Sequence, residues 1–295
     1  DYESYGYDKA GNRTSVRKRN AQSVALVYDK LNRLTARNYP SSADNVIFSY
    51  DLLGRRTQAK YANNSHAINF AWDNAGRLTA TTSGGKTISH VYDKAGNRTR
   101  TNWPENGFYT TTAYDVLNRP TAIKQKGSVQ LATYAYDDLS RRTWITLGNG
   151  TTTSFSYDAQ SALDGMDHNL TGTNRDVAWT FARNQAQEII RKSWNNNSYR
   201  WNGPATGTSH YASNGLNQYT NVAGKGFAYD GNGNLTQDGT WTYGYDLDNR
   251  LRNASRAGLS AALKYDAIGR LRSTTIAGTE QRLMYDGASL IAEYS

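Results

Sequence analysis

An aromatic–aspartate dyad recurs along this chain at near-constant spacing, and that period constrains the fold more than any other feature. It stands at Tyr7-Asp8, Tyr28-Asp29, Tyr50-Asp51, Trp72-Asp73, Tyr92-Asp93, Tyr114-Asp115, Tyr136-Asp137 and Tyr157-Asp158, 20 to 22 residues apart. It returns at Tyr229-Asp230, Tyr245-Asp246, Tyr265-Asp266 and Tyr285-Asp286, 16 to 20 residues apart. A period of this length means one supersecondary unit repeated, each completing its core against its neighbours.

Each dyad carries a tail. Four residues after the aromatic comes Gly or Asn, as at Gly11, Asn32, Gly54, Gly76, Gly96, Asn118, Gly233, Asn249 and Gly269. Arg often follows at once, as Arg33, Arg55, Arg77, Arg119, Arg141, Arg250 and Arg270. Seven residues after the aromatic stands Thr, at Thr14, Thr35, Thr57, Thr79, Thr99, Thr121, Thr143 and Thr236. Gly and Asn tolerate positive φ, so their fixed place marks a tight turn, and the Asp upstream can accept hydrogen bonds from turn amides. Before the turn, large residues alternate: Leu26 and Tyr28, Phe48 and Tyr50, Phe70 and Trp72, Phe155 and Tyr157 share a face. The positions between them, Val27, Ser49, Ala71, Val91, Ala113 and Ala135, are small or apolar. Two extended arms about one turn make a β-hairpin of about 21 residues. The best helical stripe, Asn184 to Arg191, is short, so helix is expected to be negligible.

The expectation is a single continuous array over 1–295, regular over 1–160 and 229–295. Between them, 161–228 holds degenerate repeats on longer loops. Variant repeats show at Phe181-Ala182-Arg183-Asn184-Gln185-Ala186-Gln187 and Tyr211-Ala212-Ser213-Asn214-Gly215-Leu216-Asn217-Gln218-Tyr219-Thr220.

Composition narrows the function. Only 37 % of residues are hydrophobic while 22 are Tyr, which suits half-buried sheet faces rather than a compact globule. With no Cys, disulfides, thiolate metal sites and cysteine catalysis are excluded. No apolar run reaches the roughly 20 residues of a membrane span. Asp1-Tyr2-Glu3-Ser4-Tyr5 has no signal-peptide pattern, which reads as a mature piece or a fragment of something longer.

Candidate sites weigh little against the repeat. Asp230-Gly231-Asn232-Gly233-Asn234 resembles half a calcium loop, but the twelfth position is Trp241 where such a loop needs Glu. Asp164, Asp167 and His168 form the one acidic–His cluster, and a solvated loop is the plainer reading. His66, His90 and His210 have no partner pattern. Net charge is +9, and a ladder of Arg among Tyr could bind nucleic acid or an acidic glycan. Asp recurs at matching offsets, so the ladder is expected to neutralise itself across strands, without specific nucleic-acid binding. No catalytic, cofactor or metal residue is assigned, and the chain is not expected to be an enzyme.

Tyr92-Asp93-Lys94-Ala95-Gly96-Asn97-Arg98-Thr99, Asn214-Gly215-Leu216-Asn217-Gln218-Tyr219, Asp230-Gly231-Asn232-Gly233-Asn234-Leu235-Thr236 and the closing Tyr285-Asp286-Gly287-Ala288-Ser289-Leu290-Ile291-Ala292-Glu293-Tyr294 closely resemble the Rhs/YD-repeat family. That family includes bacterial Rhs polymorphic toxins, toxin-complex shell components, wall-associated proteins and teneurins. The resemblance implies an all-β fold, a sheet of repeated β-hairpins wound into a spiral, shell-like cocoon. It also implies export to the cell surface or medium; in the toxin members a self-cleaving segment and a toxin effector follow the repeats. This chain stops at Glu293-Tyr294-Ser295, before either. About 13 hairpins give about 26 strands, or about 125 Å of ribbon at about 4.8 Å each, enough for a ring about 40 Å across. That surrounds an unfolded segment but hardly a folded domain. The chain is therefore expected to be an open segment of a larger coil, pairing with flanking repeats or with copies of itself. Function follows as a structural shell around a cargo; the alternatives are a surface adhesin or carbohydrate-binding scaffold, and, third, a polysaccharide lyase using Tyr, His and Arg.

Overall fold

The structure, a computed structural model, describes residues 2–105, 107–203 and 206–295, so Asp1 of the N-terminal reading lies outside the described residues. These residues form 29 strands and no α-helix; two short 3-10 segments, Ser42–Asp44 and Asn197–Tyr199, are the only helical turns among them. Strands adjacent in sequence pair antiparallel, as in Ser23–Tyr28 with Leu34–Asn38 and Val129–Tyr136 with Arg142–Leu147. The expected all-β hairpin fold is present. Asn184 to Arg191 is a turn leading into strand Ile189–Trp194, not a helix.

The chain divides into two compact units. One comprises Asp1–Thr87 with Thr206–Ser295, the other Ile88–Ala205. The first holds the N-terminal hairpins, a small sheet of Tyr211–Ser213, Tyr219–Val222 and Lys225–Gly226, and a ladder from Ala228–Tyr229 to Ser289–Tyr294. The second holds a ladder running from Arg98–Asn102 to Ile189–Trp194.

The alternation read from the sequence sets which face is covered. Val27, Ser49, Ala71, Val91, Ala113 and Ala135 are all exposed, whereas Tyr28, Tyr50, Trp72, Tyr92, Tyr114 and Tyr136 are half-buried. The ladder slips by one residue at each dyad. Val27 pairs with Ala36 but Tyr28 pairs with Leu34, leaving Thr35 as the extra residue of a β-bulge. Thr14, Thr57, Thr79, Thr99, Thr121 and Thr143 occupy the same position. A bulge leaves backbone groups out of register, and the Thr hydroxyl answers one: Thr35 Oγ1 donates to the Val27 carbonyl at 3.2 Å and Thr99 Oγ1 to Val91 at 3.3 Å.

Fully buried side chains are few, chiefly Val24, Ile68, Ile88 and Val177. In the first unit Val46, Phe48 and Ala59 pack against Ala267, with Tyr39, Tyr61 and Ile268 around them. The C-terminal turns thus lie on the N-terminal hairpins. Tyr39 Oη donates to Asp248 Oδ2 at 2.8 Å, Arg37 Nη2 meets Asp248 Oδ1 at 2.7 Å, and Tyr61 Oη donates to the Tyr265 carbonyl at 2.8 Å. Burial and the Asp248 carboxylate push the Tyr39 phenol well above its ordinary range.

Phe48 is 7 % exposed and Val27 is 43 % exposed on the opposite side of the same kind of strand. Phe48→Ala is expected to cost about 3–5 kcal/mol and Val27→Ala less than about 0.5 kcal/mol. Urea denaturation of both variants checks the assignment of faces.

Candidate functional site: the dyad turn and its hold on the next repeat

The recurring chemistry of this chain sits in the dyad turn, and the turn around Asp115 shows its parts. The Asp115 amide donates to the Arg119 carbonyl at 3.0 Å, and the Asn118 amide donates back to the Asp115 carbonyl at 3.0 Å. Asn118 takes φ 60°, the left-handed conformation that Asn or Gly best tolerates. Asp115 Oδ1 accepts the amides of Leu117 and Arg119, each at 2.9 Å, and Oδ2 accepts Arg119 Nε at 2.7 Å. Both carboxylate oxygens are therefore occupied by the turn itself.

The Asp holds the guanidinium so that its far end reaches the following repeat. Arg119 Nη1 donates to Ser140 Oγ at 3.1 Å, and its Cζ lies 4.6 Å from the centre of the Tyr136 ring. Tyr136 Oη donates to the Pro120 carbonyl at 2.9 Å, the residue directly after that Arg. The same closure recurs where Arg33 meets Tyr50, Arg141 meets Tyr157, Arg250 meets Tyr265 and Arg270 meets Tyr285. Trp72 does it with an indole, donating Nε1 to the Arg56 carbonyl at 2.9 Å. The ion pairs accordingly form within each turn, not across strands as the sequence suggested, because Asp and Arg four residues apart share one loop.

Where Asn replaces Arg, the bridge is shorter and finds a different partner. Asn12, Asn97 and Asn234 each donate from Nδ2 to their own Asp and to Asn32, Asn118 and Asn249 of the next turn. In the dyad turn following Arg33, Arg55, Arg77 and Arg250 the left-handed residue is instead Gly, and in the one following Arg119 and Arg141 it is Ser. A Cβ at Gly269 would lie 3.4 Å from Arg250 Nη1, an ordinary contact, and where Ser stands instead, Ser140 and Ser161 Oγ accept from Arg119 Nη1 and Arg141 Nη1, each at 3.1 Å.

The degenerate stretch keeps this turn. Asn184 takes the Asp role by accepting the Glu188 amide at 3.0 Å, with Gln187 at φ 64°. Arg183 stands in for the aromatic, and its Nη2 donates to the Leu163 carbonyl at 3.0 Å. Asn214 and Asn217 repeat the pattern at φ 58°. Sequence reading missed the left-handed residues Ser140, Ser161 and Gln187; their offset from the dyad was the available signal. Tyr285-Asp286 departs from the rest, since Asp286 pairs with Ser289 across a tighter turn.

The other sequence candidates do not assemble. Asp230 Oδ1 accepts the amides of Asn232 and Asn234, and Oδ2 accepts the Asn234 amide side chain, all at 2.9 Å. Asp164 lies in strand Leu163–Asn169 rather than a loop, at the bulge position after Tyr157, and accepts from Ser156 Oγ at 2.6 Å. Asp167 and His168 are successive strand residues and point to opposite faces. His168 Nδ1 lies 2.7 Å from Thr153 Oγ1, with its ring edge-on to Trp179. His90 is buried within strand Lys86–Tyr92, His210 is exposed, and His66 stands edge-on to Tyr61. Among the described residues no three His, Cys, Asp or Glu group as metal ligands.

Two measurements test this lock. Tyr136→Phe removes only the hydrogen bond to Pro120 and should cost about 1 kcal/mol in chemical denaturation. The second is acid sensitivity. The Arg amide four residues on holds the carboxyls of Asp29, Asp73 and Asp115 below the ordinary range, and the Asn side chain does so for Asp8 and Asp93. Folded values below unfolded ones stabilise the fold above about pH 4, and that contribution is lost as pH falls through the lower folded values. Tyrosine near-UV circular dichroism should therefore hold from pH 7 to about 4 and collapse below; a loss beginning above about pH 5 would contradict the role of these carboxylates.

No protein-family model matches the chain, and no curated protein is similar to it. Solved structures are. The chain aligns over 98 % of its length with 22 % of a chain in the TcdB2-TccC3 crystal structure, at 12 % identity and a TM-score of 0.55. It aligns over 97 % with 18 % of a chain in the Photorhabdus luminescens Tc holotoxin pore, at 12 % identity and a TM-score of 0.51. The TcdB2-TccC3-Cdc42 structure gives the same coverage, identity and score. The chain thus spans about a fifth of the length of these chains, and shares with them its all-β antiparallel hairpin fold.

Proposed function

We propose that this chain is a non-catalytic structural segment of an exported Rhs-type YD-repeat protein, building part of a shell around a C-terminal effector. The observation that carries this reading is where the recurring side chains are spent. Asp oxygens, Arg guanidinium groups and Tyr hydroxyls of the dyads fasten one repeat to the next, leaving the dyads as scaffolding. The fold shared with chains of Tc toxin structures supports the same reading. The continuous array over 1–295 is supported by the dyad turn persisting at Asn184 and Asn214.

Its immediate partners are flanking repeats or further copies. Strand Ser4–Tyr7 pairs only with Arg13–Arg17, and Ser289–Tyr294 only with Thr279–Asp286, among the described residues. Tyr7 is 62 % exposed, where Tyr50 and Tyr136 are covered by the Arg of the repeat before. Unpaired edges template further pairing. A carbohydrate-binding scaffold is the second reading, favoured by the exposed indoles of Trp144, Trp194 and Trp201, the last 82 % exposed. Binding of the chain on a glycan array, lost in Trp201→Ala, would favour it over the first.

Light scattering tests the shell reading. At high concentration the 295-residue chain should associate through its edges. A stable monodisperse monomer near 32.8 kDa would overturn the proposal.

A further inference from the structure

The repeat supplies its own control for which residues are structural. Its bulge position is Thr in eight units, but in two successive units it is Arg252 and Arg272. Both are bulge residues: Gly244 pairs with Asn253 and Tyr245 with Leu251, while Lys264 pairs with Ser273 and Tyr265 with Leu271. The residue before the aromatic is small or apolar in the other dyads, yet it is Lys264 here. These three cationic departures converge on one cavity of about 250 Å³ in the first unit, together with Arg250 and His66 and with two carboxylates, Asp44 and Asp246, so four cations face two acids. Bulges re-aim side chains, and here they turn two guanidinium groups toward the same space.

The charges around that space are not balanced. Arg250 is held by Asp246 at 2.7 Å and by Asp248 at 3.5 Å. Arg252 meets Asp44 at 3.1 Å and Lys264 meets Glu280 at 3.9 Å, both in well-exposed pairs that bind weakly. Arg272 has no ion pair among the described residues, and its buried Nε has no hydrogen-bond acceptor. A buried donor without a partner is costly, and a guanidinium fork matches the two oxygens of a carboxylate or phosphate. Burial, then the Arg272 and Lys264 charges, push the His66 imidazole below its ordinary value. That favours the neutral imidazole, which can offer one N–H without adding charge.

We propose that the cavity lined by Arg252, Lys264, Arg272 and His66 is a binding site for a small oxyanion, a carboxylate or a phosphate. The anion takes the guanidinium of Arg272, and the rim cations Arg252 and Lys264 exchange their exposed partners for it.

Thermal unfolding of the full chain tests this with two probes, sodium phosphate and sodium glucuronate, each against sodium chloride at matched ionic strength. A saturable rise of about 5 °C at a hundredfold excess over Kd is expected from at least one of them. A response to phosphate alone assigns a phosphate ligand, to glucuronate alone an acidic sugar, and to both the shared oxyanion chemistry. Arg272→Met keeps the aliphatic stem and should abolish the response. The double variant Arg252→Gln, Lys264→Gln changes only the exposed rim, and should weaken the apparent affinity at least tenfold even if Arg272→Met fails to fold. No rise beyond chloride with either anion, or an unchanged response in the double variant, would overturn the site.

Discussion

One carboxylate per repeat organises this chain. In the regular turns, as at Asp29, the dyad Asp closes its own turn by accepting two backbone amides, and its second oxygen fixes the side chain four residues on. That side chain is then aimed at the next repeat, whose tyrosine answers by donating to the carbonyl that follows it. Turn formation and repeat-to-repeat registration are thus one interaction network, not two. Removing the Asp would release the loop and its neighbour together.

This arrangement explains how a chain of such modest hydrophobicity folds. Few side chains are fully buried, so burial of apolar area is thin in each repeat. Tyrosine compensates because its ring covers the sheet and its hydroxyl remains satisfied, which no aliphatic residue can do. Stability is therefore spread over many similar contacts of modest strength, in the manner of nearest-neighbour coupling in repeat arrays. Variation follows the same logic. Asn in place of Arg, Asn in place of Asp, and Arg183 in place of Tyr each preserve a donor or acceptor at the required point.

The basic balance of the chain also reads differently once the turns are seen. Dyad arginines are neutralised inside their own loops and stacked on tyrosine, so they offer little to a polyanion. The positive charge available for recognition lies instead in residues that break the repeat, above all Arg252, Lys264 and Arg272. Regular positions build; irregular ones are where a site can arise.

Sequence alone determined the hairpin unit, the alternation of faces and the left-handed turn residue, because each depends on residues within one short stretch. Period-two burial and the steric tolerance of Gly and Asn are local properties, so Tyr28, Val27 and Asn32 could be placed without coordinates. The turn's Asp was legible as a hydrogen-bond acceptor for the same reason. Tertiary structure alone decided the rest. That Thr35 sits in a bulge and that Asp164 belongs to a strand both depend on register, which spacing does not reveal. The packing of Ala267 on Phe48 and the meeting of Arg272 with His66 join residues about 200 positions apart. No local pattern encodes such a meeting; it exists only once the hairpins have packed.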